Sequence, residues 1–331
     1  MEGVEQRTFD RIGRRASVIG LGTWQLGADW GAVDEGEARA ILQTALDTGV
    51  TFFDTADVYG DGRSERLIGE FLRAVPPDRA GDILVATKMG RRAPQDPAEF
   101  TMDHFRAWTD RSRANLGVDT LDLVQLHCPP SPVLSSDAVY NALDTLIAEK
   151  RIAAYGVSVE TCDEALAAIA RPGVASVQII LNSFRHKPLE RVLPAAEAAG
   201  VGIIARVPLA SGLLSGKYRH DSVFGADDHR NYNRNGESFD IGETFSGVDY
   251  ATGVTAAREF AALVEQGVSP SQTALRWIIQ QPGVTTVIPG ASTAEQARAN
   301  SVLAPALTEA TLTAIEDLYD RRIRALVHRR W

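Results

Sequence analysis

Cysteine is almost absent from the chain, and no hydrophobic run is long enough to cross a membrane. The 331 residues include two cysteines, Cys128 and Cys162, and neither belongs to a Cys-x-x-Cys pair, so the sequence predicts no metal site and no dithiol motif. Two lone thiols fit a reducing compartment. The opening residues, MEGVEQRTFD, lack an apolar signal core. No run reaches the roughly 18 apolar residues of a spanning helix. We therefore expect a cytoplasmic protein with no membrane partner.

Basic residues are outnumbered by acidic ones, 34 to 43, which gives a formal net charge of −9. Because binding to nucleic-acid phosphates needs a basic face, this balance argues against a nucleic-acid partner. The hydrophobic fraction of 44% and the charged fraction of 23% are ordinary for a globular protein. Composition leaves the choice of small molecule and the oligomeric state open.

Short apolar runs alternate with amphipathic segments along most of the chain. Strands are predicted at 18–21, 51–53, 83–87, 121–126, 152–157, 176–180, 201–206 and 285–288. Helices are predicted at 34–48, from residue 64 onward, and at 103–116, 136–149, 161–170, 188–199, 251–265, 270–280, 293–302 and 308–326. Eight strand-helix units favour an α/β fold of the closed (β/α)8 TIM-barrel type. The glycine fingerprint of an open dinucleotide-binding sheet is missing, because Gln25 stands where its third glycine belongs.

Three segments depart from this alternation of strands and helices. The opening residues predict a short N-terminal β-hairpin around Gly13, and the chain ends in extra helices whose basic residues, RRIRALVHRRW, suit the negative end of a helix. Residues 218–250 form a long polar stretch after the seventh strand, where we expect a loop, lid-like or mobile, on the catalytic face. No linker separates a second domain, so residues 1–331 are expected to form a single barrel domain.

Four chemically matched residues stand at or just beyond the ends of three successive strands: Asp54, Tyr59, Lys88 and His127. In a parallel barrel these positions meet at one face. A phenol can donate a proton, an ammonium can lower the phenol's pKa, a carboxylate can hold the ammonium, and an imidazole can orient a carbonyl. Each residue alone has an ordinary structural explanation. Their joint occurrence favours a catalytic site.

The segment GVTFFDTADVYGDGRSERLIG, residues 49–69, resembles the signature of the aldo-keto reductase superfamily. In that pattern an aspartate follows an apolar strand, a tyrosine comes five residues later, and Glu65 and Gly69 complete it. ILVATK and LDLVQLH resemble the family's lysine and histidine strands, and similarity extends from GLGTWQLG (20–27) to VIPGAS (287–292).

The resemblance implies a barrel that binds NAD(P)H without a Rossmann fold. It implies Tyr59 as general acid tuned by Lys88 and Asp54, with His127 orienting the substrate carbonyl. The implied substrate pocket contains Trp24, Tyr59 and His127, while Trp30 and Trp108 are weaker candidates. The implied cofactor contacts are Gly22, Thr23, Trp24, Asp54, Ser158, Gln178, Arg206, Pro208, Leu209, Ser211, Gly212, Leu213, Lys217, Gly290, Ser292, Gln296 and Asn300.

Within that set the resemblance assigns parts of the cofactor. Ser158 and Gln178 would hold the nicotinamide carboxamide. The segment PLASGLLSGK (208–217) would surround the pyrophosphate, with N–H groups from Ser211 and Leu213, and the segment after the eighth strand would read the adenine.

Three positions depart from the family pattern. Val159 stands where many relatives have asparagine, and Arg206 stands where many have an aromatic that stacks on the nicotinamide. A guanidinium can also stack, and we hypothesise that its charge disfavours the cationic oxidised cofactor. Ser292 replaces the lysine or arginine that commonly pairs with the 2′-phosphate, although Ser292, Thr293 and nearby Arg298 can still contact a phosphate. NADPH is favoured on family grounds and NADH remains open.

The sequence thus predicts an NAD(P)H-dependent oxidoreductase that reduces an aldehyde or ketone, or oxidises the matching alcohol or sugar. The main alternative is a cofactor-sensing regulatory subunit resembling potassium-channel β subunits, which keep the same four residues. A barrel isomerase or lyase without nicotinamide chemistry is a third possibility.

Overall fold

A ring of eight parallel strands forms the centre of the computed structural model, which describes residues 4–27 and 33–331. The strands are β1 (Gln6–Phe9), β2 (Arg14–Ser17), β3 (Leu21–Gly22), β4 (Phe52–Asp54), β5 (Leu84–Met89), β6 (Leu123–His127), β7 (Tyr155–Ser158), β8 (Val174–Ile180), β9 (Gly202–Arg206) and β10 (Val284–Val287). β1 and β2 form the predicted antiparallel hairpin, and β3 to β10 pair in chain order.

Helices follow the barrel strands, as predicted. They are α1 (Glu35–Asp47), α2 (Arg63–Ala74), α3 (Pro77–Asp82), α4 (Met102–Leu116), α5 (Asp137–Ala148), α6 (Cys162–Ile169), α7 (Pro188–Ala199), α8 (His229–Tyr232), α9 (Tyr250–Ala261), α10 (Pro270–Ile279), α11 (Ala294–Ser301), α12 (Glu309–Arg322) and α13 (Arg324–Val327). Short 3₁₀ helices lie at Trp24–Gly27, Pro97–Glu99, Ser131–Ser135, Ala210–Ser215, Ile241–Glu243 and Phe245–Gly247. α3 was not predicted, and the helix predicted at 308–326 breaks at Ile323.

The sheet closes on itself through the segment before β3. Ile19 forms a parallel bridge with Val287, Gly22 forms another with Gly290, and the Gly20 N–H donates to the Val287 carbonyl at 2.7 Å. The predicted (β/α)8 barrel is therefore confirmed. The first strand lies later than predicted, because residues 18–20 form this seam and only Leu21–Gly22 pair regularly with β4.

The N-terminal hairpin closes the bottom of the barrel. Phe9 from β1 is fully buried among the interior side chains, and its ring stacks on Phe52 with centroids 5.5 Å apart. Gly202 at the start of β9 makes room for it, because a Cβ there would lie 2.3 Å from the Phe9 ring. A second and larger core fills the space between the barrel and the surrounding helices. The bottom is thus a packed floor, which leaves chemistry to the opposite face.

Strand register brings the polar side chains together at the C-terminal face. Lys88 on β5 pairs with Gln125 on β6. Two residues further along β6, His127 pairs with Ser158 on β7, which in turn pairs with Gln178 on β8. The predicted site residues therefore lie near the C-terminal ends of neighbouring strands.

The basic end of the chain pairs with acidic side chains of neighbouring helices. Arg321 and Arg322 contact Glu259, and Arg324 contacts Asp320 and Glu190. These contacts agree with the structural interpretation of this segment.

An unpaired carboxyl group lies beneath the turn that follows β4. Asp57 is fully buried, and neither of its oxygens has a hydrogen-bond partner among the described residues. Burial raises its pKa from 3.8 to about 7, and nearby Glu65 adds to the increase while Arg92 and Arg111 oppose it. Below about pH 7, the folded protein therefore favours the protonated form of Asp57.

Replacing Phe9 with alanine should lower the free energy of unfolding by about 3–5 kcal/mol, because the barrel floor loses a buried ring that nothing nearby can replace. Urea denaturation would measure the loss. The matched control is Val223→Ala, since Val223 is 92% exposed and its truncation should change stability by less than about 0.5 kcal/mol. A loss below about 1 kcal/mol for Phe9→Ala would show that the hairpin is dispensable.

Replacing Asp57 with asparagine should stabilise the protein more at pH 8 than at pH 5. The folded-state pKa of about 7 lies above the unfolded value, so the wild type's stabilisation is full at low pH and is lost as pH rises toward 7. The limiting slope is about 1.4 kcal/mol per pH unit. Melting temperatures at both pH values would measure this, with Asp317→Asn on the exposed face of α12 as control. An equal gain at both pH values would contradict the prediction.

Candidate active site

Lys88 is the centre of the polar cluster at the C-terminal face. Its side chain is 1% exposed, and its ammonium donates to Asp54 Oδ1 at 2.5 Å, to the Thr55 carbonyl at 2.9 Å and to the Tyr59 hydroxyl at 3.3 Å. An ammonium has three N–H donors, so these contacts satisfy it. The geometry places a carboxylate on one side of the lysine and a phenol on the other.

The second oxygen of Asp54 accepts from two buried amides. Gln178 Nε2 donates to Asp54 Oδ2 at 2.7 Å, and Gln125 Nε2 donates to the same atom at 3.2 Å. The Ser158 hydroxyl approaches Gln178 Oε1 at 3.5 Å. Gln178 was expected only as a carboxamide ligand, and Gln125 was missed. Its signal was an amide inside the otherwise apolar end of the run LDLVQL, three residues after Asp122.

The turn that carries Tyr59 is held by close backbone packing and by hydroxyl groups. Gly60 has φ of 58°, and a Cβ there would lie 2.1 Å from the Gly27 carbonyl oxygen, so a side chain at this position would collide. The Thr55 hydroxyl donates to Ser64 Oγ at 2.9 Å, and Ser64 donates to Thr23 Oγ1 at 2.8 Å. This buried relay ties the turn to the segment after β3.

Burial raises the pKa of Tyr59 above its ordinary value of 10.0, and the Asp54 and Glu243 carboxylates add to the increase. Lys88 lowers that pKa, as predicted, but burial outweighs it. The expectation that the phenol's pKa falls toward working pH is therefore corrected. Burial also lowers the pKa of Lys88, but its contacts with Asp54 and Tyr59 reverse this and raise it above the ordinary value. The pair is thus a neutral phenol beside a stable ammonium.

His127 stands edge-on to Tyr59, with ring centroids 6.0 Å apart. Burial lowers its pKa well below 6.5, and the charges of Arg91, Lys88 and Arg206 act in the same direction. Its Nδ1 atom is buried and has no hydrogen-bond partner among the described residues. A neutral imidazole at this position can orient a polar group by hydrogen bonding without carrying charge.

A cavity of about 810 Å³ runs across this face, from Tyr59 and His127 at one end to Gln296 and Asn300 at the other. Every residue that the resemblance implied for the cofactor lines it except Leu213, which is buried in the outer core instead. Its size is within the range of sites for small molecules. Lining residues that were not expected include Tyr218, His229, Arg230, Glu243, Ser269 and Ser271.

The backbone after β9 is strained where it borders the cavity. Val207, Ala210 and Ser211 all have φ between 47° and 54°, a left-handed conformation that is unusual for non-glycine residues. Such strain concentrates at ligand sites because the surrounding structure holds it in place. Lys217, which follows this segment, also lines the cavity.

Arg206 is buried and paired with two carboxylates. It donates to Glu160 Oε2 at 2.8 Å and to the Val159 carbonyl at 2.9 Å, and its other terminal nitrogen contacts Glu243. Its charge is therefore compensated, which removes the electrostatic basis for the hypothesis that it disfavours the oxidised cofactor.

The far end of the cavity is lined by hydroxyl and amide groups. The Ser292 hydroxyl donates to Gln296 Oε1 at 3.0 Å, and Asn300 donates to the Gly290 carbonyl at 3.2 Å. Arg298 is exposed and does not line the cavity, so the structure does not bring it to the predicted phosphate position. Ser269 was not predicted to line the cavity, because its position before a predicted helix indicates a helix cap. It does cap α10.

Aromatic rings border the mouth near Tyr59. Trp24 stacks on the Tyr59 ring at 6.3 Å, and Phe239 from the long loop meets Trp24 edge-on at 5.9 Å. Trp108, a weaker candidate for the substrate pocket, packs in the outer core and does not line the cavity. Trp30 lies outside the described residues.

Residues 218–250 lie on the catalytic face, as predicted, and contain α8 and two of the 3₁₀ helices. Several of their side chains line the cavity, so this loop contributes polar and charged groups to the site that the local sequence did not predict. Within the described residues, no helix is both long and apolar enough to cross a membrane.

Comparison with known proteins identifies the family of this site. The model of the Aldo/keto reductase family matches residues 18–320. An uncharacterised oxidoreductase of Mycobacterium tuberculosis (strain ATCC 25618 / H37Rv) is 36% identical over 303 residues, which cover 88% of this chain and 85% of the relative. The aldo-keto reductase YhdN of Bacillus subtilis is 29% identical over 87% of this chain and 85% of its own.

Solved structures agree with these relatives. The glycerol dehydrogenase AKR11B4 of Gluconobacter oxydans superposes with a TM-score of 0.77 at 28% identity, over 96% of each chain. The aldo-keto reductase AKR11C1 of Bacillus halodurans gives a TM-score of 0.76 at 25% identity, over 95% of this chain and 96% of its own. The chain belongs to the aldo/keto reductase family.

Proposed function

We propose that the protein is an NADPH-preferring oxidoreductase that reduces an aldehyde or ketone, or oxidises the matching alcohol or sugar. The observation that carries this proposal is the contact of Lys88, held by Asp54 at 2.5 Å, with the Tyr59 hydroxyl at 3.3 Å. Tyr59 and His127 line one cavity, so a carbonyl oxygen could meet both. Family membership supports nicotinamide chemistry at this position.

The donors that line the cavity suit an extended dinucleotide. Ser158 and Gln178 offer hydroxyl and amide groups beside Tyr59, Lys217 offers a cation along the cavity, and Gln296 and Asn300 offer amides at the far end. A bound nicotinamide would supply the hydride that the protein itself cannot. The preference for NADPH rests on the family, and NADH stays possible because Ser292 replaces the usual basic residue.

In the proposed reduction, Tyr59 donates its proton to the carbonyl oxygen as negative charge develops there. Lys88 stabilises the phenolate left behind, and Asp54 keeps the ammonium in place through its two amide partners. His127 is neutral because burial lowers its pKa, so it orients the oxygen by hydrogen bonding. These groups are fixed before the reaction, which is the main way that such a site lowers a barrier.

The names of two relatives support activity in the oxidative direction. One structural neighbour is a glycerol dehydrogenase, and a relative from Arabidopsis thaliana that is 31% identical over 65% of this chain is an L-galactose dehydrogenase. Polyols and sugars therefore belong in any substrate screen.

Replacing Tyr59 with phenylalanine should reduce turnover by about 10²–10⁴-fold, because the ring keeps its packing but loses the proton. Absorbance of NADPH or NADH would be followed with a panel of aldehydes, ketones, polyols and sugars. Cofactor binding, measured by protein fluorescence, should be retained. The control is Tyr140→Phe, which removes a buried hydroxyl without a hydrogen-bond partner among the described residues, outside the cavity.

Tight cofactor binding without turnover on any substrate would favour the regulatory alternative. That outcome has a basis among relatives, since a probable voltage-gated potassium channel subunit beta of Arabidopsis thaliana is 29% identical over 95% of this chain. If the protein bound neither NADPH nor NADH, both the oxidoreductase and the regulatory-subunit hypotheses would be contradicted. A barrel isomerase or lyase would then remain.

The rate of carbonyl reduction should be flat from about pH 6 to pH 9 and fall only at higher pH. Tyr59 must be protonated to act as an acid, and its pKa lies above 10.0. His127 should add no inflection because its pKa lies well below 6.5. Oxidation needs the phenolate, so its rate should rise with pH across the same range. Because the pKa of Asp57 is about 7, a midpoint near neutral pH must be checked in Asp57→Asn. A midpoint near pH 6.5 that persists in that variant would contradict the assignment of a neutral His127.

A further inference from the structure

Glu243 brings a carboxylate from the long loop to the reaction end of the cavity. It ends the 3₁₀ helix Ile241–Glu243, contacts Arg206, and lines the same cavity as Tyr59 and His127. Its side chain is 20% exposed although other groups surround it, so the exposed part faces the cavity rather than bulk solvent. Burial raises the pKa of Glu243 above its ordinary value, and the contact with Arg206 opposes that increase. Its carboxylate also adds to the increase in the pKa of Tyr59.

Contacts from three parts of the chain hold the backbone segment that carries this carboxylate. The Ser211 hydroxyl donates to the Glu243 carbonyl at 3.0 Å and accepts from the Phe245 N–H at 3.0 Å. The Trp331 indole donates to Asp240 Oδ1 at 3.0 Å. The guanidinium of Arg185 lies 3.4 Å from the centre of the Trp331 ring, which strengthens the anchor.

Cations near the reaction end already have acceptors. Lys88 is satisfied by Asp54, Thr55 and Tyr59, as described above. Arg206 is paired with Glu160 and Glu243. Arg91 donates to the His127 carbonyl at 3.2 Å and lies 3.8 Å from Glu160.

Lys217 differs from these cations. It lines the cavity beyond the strained segment, and neither a salt bridge nor a side-chain hydrogen bond joins it to the rest of the described chain. Lys217 is therefore free to pair with a bound anion, and it lies next to the segment proposed for the pyrophosphate. The end beside Tyr59 offers carboxylate oxygen instead.

We propose that Glu243 is a substrate-specificity residue that selects a neutral carbonyl compound bearing hydroxyl groups, such as a short polyol aldehyde, and disfavours aldehydes that carry a carboxylate or phosphate. This inference rests on the proposed function and deepens it. A carboxylate has about four acceptor positions and Arg206 uses one side, so a substrate hydroxyl can donate to the remainder. A substrate anion at this end would meet the Glu243 carboxylate and, within residues 4–27 and 33–331, no unpaired cation.

The test compares three aldehydes with NADPH: glyceraldehyde, propionaldehyde of the same chain length, and succinic semialdehyde as the anion. In wild-type protein, kcat/KM should fall in that order. Glu243→Gln should reduce the ratio of glyceraldehyde to propionaldehyde by about tenfold, because a hydrogen bond to a charged acceptor becomes a neutral one. It should also raise the relative kcat/KM for succinic semialdehyde. Hydration of each aldehyde is the same for every variant, so it cancels when substrate ratios are compared between variants. The wild-type order is compared after kcat/KM is corrected for the free-aldehyde fraction of each substrate.

Glu160→Gln is the matched control, because Glu160 also pairs with Arg206 but does not line the cavity. It should keep the preference for glyceraldehyde over propionaldehyde. The inference would be overturned by an unchanged ratio in Glu243→Gln, by an equal loss in Glu160→Gln, or by a wild-type preference for the anion. Fluorescence titration of NADPH would confirm that each variant is folded. If wild-type protein turns over none of the three aldehydes but acts on other members of the panel, this inference fails and the proposed function stands. No turnover on the whole panel with NADPH or NADH would mean that the proposed function itself fails.

Discussion

The ion pair between Lys88 and Asp54 is the interaction on which the rest of the site depends. Both groups are removed from water, and such a pair is stable only when its remaining donors and acceptors are satisfied. Asp54 therefore requires the amides of Gln125 and Gln178, and Lys88 requires the Thr55 carbonyl as well as Tyr59. Removing either partner would leave a buried charge uncompensated, which typically costs about 3–5 kcal/mol. Strands β4, β5, β6 and β8 must consequently hold one register, so the catalytic arrangement and the barrel constrain each other.

Much of the fold could be predicted from sequence, because parallel strands buried on both faces appear as apolar runs and helices as amphipathic ones. The four residues at strand ends could be predicted for the same reason, since strand direction alone places them together. The pKa of Tyr59 could not, because the opposing effects of burial and Lys88 depend on how completely the ring is enclosed. Gln125 shows a similar limit. A polar residue in an apolar run signals an unusual position, but only the register across β5 and β6 shows that it faces Asp54.

Residues 218–250 were hard to interpret because their important contacts lie far away in sequence. Glu243 pairs with Arg206, 37 residues earlier, and its neighbour Asp240 binds Trp331, 91 residues later. Glu237 in the same loop is equally acidic, yet it is exposed and bonds only to nearby Asn235. Nothing local separates these two glutamates. The distinction arises from the folded chain, in which one carboxylate meets a buried guanidinium and the other meets water.

Arg206 links the two halves of the cavity in a way that an aromatic residue could not. A stacking aromatic at this position needs only packing, whereas a buried guanidinium needs acceptors, and here they come from the segment after β7 and from the loop after β9. The residue expected next to the nicotinamide is therefore held partly by the loop expected to contact the substrate. Since Ser211 joins the same loop to the strained segment proposed for the pyrophosphate, a shift of Glu243 would be transmitted to both parts of the cofactor site. In the proposed arrangement, substrate selection and cofactor binding would both depend on the pairing of Arg206 with Glu243, so a change in the loop would have to keep this buried guanidinium paired.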